Sequence, residues 1–269
     1  MNGSTVIVNR AYRVAPTLRN SLIVAIVYAA ILFLLQLSSG VSYADIAESA
    51  ATLFAFVVFP VGVGAALLTG FALYSGWWQD LWTDKYQLRR SGWIHIVTVM
   101  ILLGVIASFV SGNIVTLDPL FILVAAMGLA FVGYTEEVLF RGFVRIGGRG
   151  SGYTEAKTMI LVMVSFGLFH AANILTGSPI AIVFWQIINA AVLGGGLYLV
   201  FRKTGLLAIP IILHALVDFS LLTKGAVSAQ DPRTALAILA IIFNVVVAVV
   251  VLIALVKMFR RGGDLEVAP

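Results

Sequence analysis

The chain has 269 residues, 61% of them hydrophobic and only 11% charged, against roughly 25% charged in an ordinary soluble domain. So few polar residues cannot face a globular exterior to water, which makes the bilayer the fitting solvent and excludes a soluble fold. The net charge of +5 sits between apolar runs, where membrane topology rather than a nucleic-acid partner accounts for it, and the absence of cysteine excludes disulfides, thiolate catalysis and Cys-ligated zinc.

Apolar runs fall at about 21–37, 50–75, 93–110, 120–140, 158–175, 179–201, 205–223 and 234–256. Most reach or approach the roughly 20 residues that span ~30 Å of hydrocarbon. The expected fold is therefore all-α, a polytopic membrane helix bundle with about eight transmembrane helices in a single domain, 1–269. The first run follows a long leader, and Leu37-Ser38-Ser39-Gly40 lacks a small-x-small cleavage pattern, so it reads as an uncleaved span. The second contains Pro60 and several glycines and is expected to be kinked or broken. Trp77, Trp78, Trp82 and Trp93 cluster where an interfacial aromatic belt belongs, and His95 beside Trp93 reads as interfacial. Pro210 lies inside the seventh run.

Charge placement orients the chain. With eight crossings, one side collects Arg10, Arg13, Arg19, Lys85, Arg89, Arg90, Arg145, Arg149, Lys157, Arg202, Lys203, Lys257, Arg260 and Arg261. The other collects Lys224 and Arg233 together with Asp45, Glu48, Asp118 and Asp231. This asymmetry predicts an integral protein of the plasma membrane with both termini cytoplasmic.

Ionisable residues deep in such runs cost roughly 2.5–3.5 kcal/mol each on insertion scales, which makes each a functional candidate. In the fourth run, Glu136-Glu137-Val138-Leu139-Phe140-Arg141 sets Glu137 and Arg141 four apart on one helix face, in the favourable order for an ion pair. Glu136 points ~100° away and is left for chemistry. In the fifth run, Phe166-Gly167-Leu168-Phe169-His170 is followed by Asn173, three residues on and on the same face as His170. In the seventh, His214 and Asp218 are four apart, so the acid can orient or charge the ring. An interfacial salt bridge, a packed histidine and a structural His–Asp contact are the alternatives for the three clusters taken singly. Counted from the nearest basic residue, however, Glu136, His214 and His170 lie roughly 13, 16 and 20 Å deep. Three polar clusters on three helices share one slab, where they can satisfy one another around a water-filled cavity.

These residues resemble the CPBP family of intramembrane proteases, relatives of the CaaX prenyl endopeptidase and of bacteriocin-processing enzymes. The family pattern Glu-Glu-x3-Arg, Phe-x3-His, His-x3-Asn/Asp is matched by Glu136, Glu137 and Arg141, by Phe166 and His170, and by His214 and Asp218, over a protease-like core of about 120–223. The resemblance implies an eight-helix protease whose site opens toward the cytoplasmic side. It implies that Glu136 and His170 position and deprotonate a water, that Glu137 and Arg141 hold the site's shape, and that His214 and residue 218 stabilise the oxyanion. Asp218 stands where the prenyl-protease branch has Asn. An ionised Asp would repel an oxyanion, so it must be neutral or act through a cationic His214.

Without cysteine, and with no Ser-His-Asp spacing, peptide hydrolysis has two routes here: glutamate-activated water, or a metal-activated water. The favoured reading needs no obligatory cofactor. If zinc is present, Glu136, His170 and His214 would be its ligands, although no HExxH motif occurs. The expected partners are the lipid bilayer and a membrane-associated protein or peptide substrate. The alternatives are a proton-coupled transporter, since buried Glu, His and Asp also build proton relays, or a non-enzymatic immunity or scaffold protein.

Overall fold

A computed structural model describes residues 12–224 and 234–266, apart from the side chains of Thr234 and Ala237. Arg10, Asp231 and Arg233 of the charge count lie outside the described residues, as do both chain ends. Within them the fold is all-helical, broken only by an isolated antiparallel bridge between Thr83 and Leu206.

Eight long helices follow the apolar runs: α1 Leu18–Ser38, α2 Ala50–Ser75, α3 Gly92–Ser111, α4 Pro119–Gly150, α5 Glu155–Ile174, α6 Ile180–Thr204, α7 Ala208–Lys224 and α8 Thr234–Arg260. Polar side chains set several starts by accepting from orphan backbone N–H groups. Thr17 caps α1, Ser49 and Thr52 form a reciprocal capping box on α2, Asp118 caps α4 ahead of Pro119, and Thr154 caps α5. At the other end of α6, Gly205 takes the left-handed conformation (φ 74°) that closes the helix.

Seven of the helices, with α8 counted over Ile238–Arg260, are long and apolar enough to cross a membrane. The run expected as a seventh span falls short over the described residues. Gly205 ends α6, and Leu206 and Leu207 pair with Thr83 and Trp82, so α7 begins only at Ala208. Its 17 residues reach roughly 26 Å. Pro210 stands in the first turn of α7, where no intrahelical N–H bond is due, and does not break it. The irregularity expected in α2 is a π-turn, Phe54–Val58, just ahead of Pro60. A proline in a regular helix strikes the carbonyl four residues back, and the wider turn accommodates it.

Large apolar side chains such as Ile26, Leu34, Ile182 and Ile241 point outward, as a hydrocarbon environment permits. Inside, α4 packs on α7, α5 on α6, and α3 on α8. Two glycines allow the site-bearing helices to approach: a Cβ at Gly133 would come within 2.7 Å of the Ile211 carbonyl, and one at Gly167 within 2.8 Å of the Ile187 carbonyl. Trp77 departs from the belt expected of it. It is fully buried against Phe71 and Phe143, and its indole N–H donates to the Val14 carbonyl at 2.8 Å. His95 is exposed at the start of α3.

The helix order gives the bundle two chemically different ends. The basic end carries Lys85, Arg89, Arg90, Arg149, Lys157, Arg202, Lys203 and Lys257; the opposite end carries Asp45, Glu48, Asp118 and Lys224.

Candidate active site

Glu136 and Glu137 end the regular part of α4, and a π-turn, Val138–Val144, follows at once. Such turns recur at functional sites because the inserted residue re-aims neighbouring side chains. The i,i+4 pair is made: Arg141 Nη1 donates to Glu137 Oε1 at 2.8 Å, with both side chains fully buried. The same Oε1 lies 2.8 Å from His214 Nδ1 on α7. Glu137 therefore joins two helices, a link that i,i+4 spacing alone did not reveal.

With Nδ1 engaged, His214 presents Nε2 to Asp218 Oδ2 at 3.4 Å and to Glu136 Oε2 at 3.7 Å. His170 is fixed differently. Its Nδ1 lies 2.9 Å from the Phe166 carbonyl, which can only accept, so Nδ1 carries the proton and Nε2 keeps a free lone pair. Phe166 is the hub of the packing. The Arg141 guanidinium sits 4.4 Å from its ring centroid, and His170, His214 and Phe140 meet it edge-on at 5.1, 5.6 and 5.1 Å.

A cavity of about 390 Å³ adjoins this cluster and is lined by Glu136, His170, Asn173 and Asp218. His214, Glu137 and Arg141 stand behind it, at 2%, 0% and 0% exposure. Glu136 Oε2 has no hydrogen bond within the protein, and neither do Glu137 Oε2 or the Nε and Nη2 of Arg141. Buried polar atoms left this way are uncommon and call for an explanation. A carboxylate that lines a cavity beside an imidazole lone pair can accept a proton from a bound water.

Asn173 does not bond His170. The α-helix tightens to a 3₁₀ turn at His170–Ile174, and Asn173 Nδ2 donates to Gln186 Oε1 at 2.9 Å, while Gln186 Nε2 donates to the Tyr43 hydroxyl at 3.1 Å. Tyr28, Gln36, Tyr43 and Gln186 also line the cavity and were not anticipated. The glutamines were detectable, because an amide inside an apolar run is costly in hydrocarbon.

Zinc does not fit the ligand set considered for it. Among the described residues no three His, Asp or Glu side chains converge closely enough to hold a metal ion.

The cavity lies away from the basic end. Its walls come from mid-bundle and from the acidic end: Gln36 near the close of α1, Tyr43 and Ile46 in the following loop, Asn173 in the last turn of α5, and Leu221 and Leu222 near the end of α7. No residue of the basic-end loops contributes.

The multi-span helix bundle sets Glu136, His170 and Asp218 on one cavity, with Glu137, Arg141 and His214 packed behind them. Residues 118–220 match the family model described as Type II CAAX prenyl endopeptidase Rce1-like. Over that stretch, which runs from the cap of α4 into α7, the chain carries a domain of this family of intramembrane proteases, a class of hydrolases. Nothing matched in comparisons with curated proteins or with solved structures.

Proposed function

We propose that the protein hydrolyses a peptide bond of a membrane-associated protein or peptide, using water activated by Glu136 and His170. The observation that carries this reading is the meeting of Glu136, His170 and Asp218 on one cavity, from three helices, with a Glu136 oxygen that makes no hydrogen bond in the protein and lies 3.7 Å from His214 Nε2. A water held between Glu136 and the His170 Nε2 lone pair loses a proton to one of them as its oxygen attacks the scissile carbonyl. The tetrahedral oxyanion is stabilised by His214, whose Nε2 points toward Glu136 and Asp218. The C–N bond then breaks, and the captured proton passes to the leaving amine.

Glu137 and Arg141 act one layer back. Their ion pair anchors His214 Nδ1, so the ring turns Nε2 to the cavity, and Asp218 balances it from the other side. No metal is required in this scheme. The orientation that accompanies it is a plasma-membrane protein with the basic end cytoplasmic.

The test is single-turnover cleavage of a peptide reporter by purified protein. Glu136→Gln keeps size and hydrogen bonding but removes the charge that takes the proton, so cleavage should fall by roughly 10²–10⁴-fold. Full activity of Glu136→Gln overturns the mechanism. Activity abolished by a chelator and restored by zinc would move the assignment to a metalloprotease.

A further inference from the structure

We infer that the substrate reaches Glu136 from the acidic end of the bundle, the extracytoplasmic face by charge asymmetry, as a peptide segment of neutral or basic character. This rests on the reading of the Glu136–His170 cavity as the active site.

The first argument is position. Along α1, the lining residues run from Tyr28 to Gln36, roughly 15–27 Å from the start of the helix at the basic end. On α7 they run from Asp218 to Leu222, roughly 15–21 Å from the same end. The cavity therefore occupies the half of the bundle away from the arginines.

The second is closure. Beneath the cavity lies a layer of Glu137, Phe140, Arg141, Phe166 and His214, none more than 2% exposed. Below that, Leu197–Phe201 are fully buried, and Asp84, Arg149, Glu155 and Arg202 are tied into one ionic cluster. A peptide arriving from the basic end would have to break both layers.

The third is the chemistry of the wall. Gln36, Tyr43, Asn173 and Gln186 set amide and hydroxyl groups along it, which can exchange hydrogen bonds with an extended backbone. The charged lining residues are Glu136 and Asp218, with no Lys or Arg among them. An acidic segment is repelled.

The protein has no cysteine, so single-cysteine variants can be labelled without background. Asp218→Cys on the cavity floor and Gln36→Cys on its wall should react in intact cells with a charged, membrane-impermeant thiol reagent. Lys85→Cys at the basic end should react only after permeabilisation. If Asp218→Cys fails to insert, Gln36→Cys still reports the cavity. Labelling of the cavity cysteines only from the Lys85 side, or of Lys85→Cys in intact cells, overturns the proposal. Labelling requires no catalysis, so this result stands apart from the outcome of the cleavage assay.

Discussion

Two clusters of charged side chains lie buried in this bundle, built from the same kinds of residue and finished in opposite ways. At the basic end, both Asp84 carboxylate oxygens accept from Arg149 at 2.9 Å, Arg202 donates to Asp264 at 3.2 Å and to the Tyr86 carbonyl at 2.9 Å, and Glu155 receives Arg149, Arg202 and the Tyr198 hydroxyl. In mid-bundle, Glu136, Glu137 and Arg141 keep buried atoms with no hydrogen bond in the protein, whereas no side-chain atom of Asp84, Arg149, Glu155 or Arg202 is left so. A fully satisfied buried network rigidifies, while a partly satisfied one is costly to keep. The saturated cluster ties the basic end together; the unsaturated one adjoins the Glu136–His170 cavity, where we propose the chemistry takes place.

The largest effect that sharpens this contrast is on turnover. His170→Ala removes the lone pair that holds the water, and cleavage in the single-turnover assay should fall by roughly 10²–10⁴-fold, with unfolding little changed. A comparable loss of stability without loss of turnover would break the division between the clusters.

Arg141→Ala probes the scaffold behind the cavity. It leaves the fully buried Glu137 with His214 as its remaining partner, and removing one partner of such a pair costs roughly 3–5 kcal/mol. Denaturant unfolding in detergent measures it. A normally stable, fully active variant would show the pair to be dispensable.

The saturated cluster should reveal itself through pH. Burial by itself would raise the Asp84 carboxyl, but the hydrogen bond from Arg149 and the charges of Arg145, Arg149 and Arg202 outweigh it and hold the group at about 2. A depressed carboxyl contributes stability that is present above its unfolded value of ~3.9 and is lost as pH falls through its folded value. The Asp84 contribution should therefore be fully present and independent of pH near neutrality, and stability should drop by about 2 kcal/mol between roughly pH 4 and pH 2. Unfolding midpoints across that window should fall for the wild type and be flatter for Asp84→Asn.

A smaller loss is expected for Tyr198→Phe, which deletes only the hydroxyl donated to Glu155. Because Glu155 keeps both arginines, the cost should be about 1.5 kcal/mol, the low end for a bond to a charged group. Thermal unfolding in detergent reads it, and an effect as large as that of Arg141→Ala would contradict the redundancy of that cluster.

What could be read from the sequence follows from how local each contact is. Glu137 and Arg141 were legible because i,i+4 spacing fixes a helix face whatever the tertiary fold. The three clusters were legible as neighbours because depth along a span is set by rise per residue. The bond from His214 to Glu137 was not, since it joins residues 77 positions apart and spacing on one helix says nothing of it. Trp77 looked interfacial by composition, and only the packing of Phe71 and Phe143 around it makes it core. The side on which the cavity lies depends on where the loops after α1 and α5 fold, and no periodicity carries that. The limits of α7 were hidden for a similar reason: Leu206 and Leu207 are apolar like the helix they precede, but their backbone bonds go to residues 82 and 83.

The division of labour between the two clusters is tested most directly by measuring Glu136→Gln and Asp84→Asn side by side, for unfolding and for turnover per folded molecule. The account predicts that Glu136→Gln unfolds no more easily than the wild type and has lost cleavage, while Asp84→Asn unfolds more easily and cleaves at the wild-type rate. The reverse pattern, with Glu136→Gln active but unstable and Asp84→Asn stable but inactive, would contradict it.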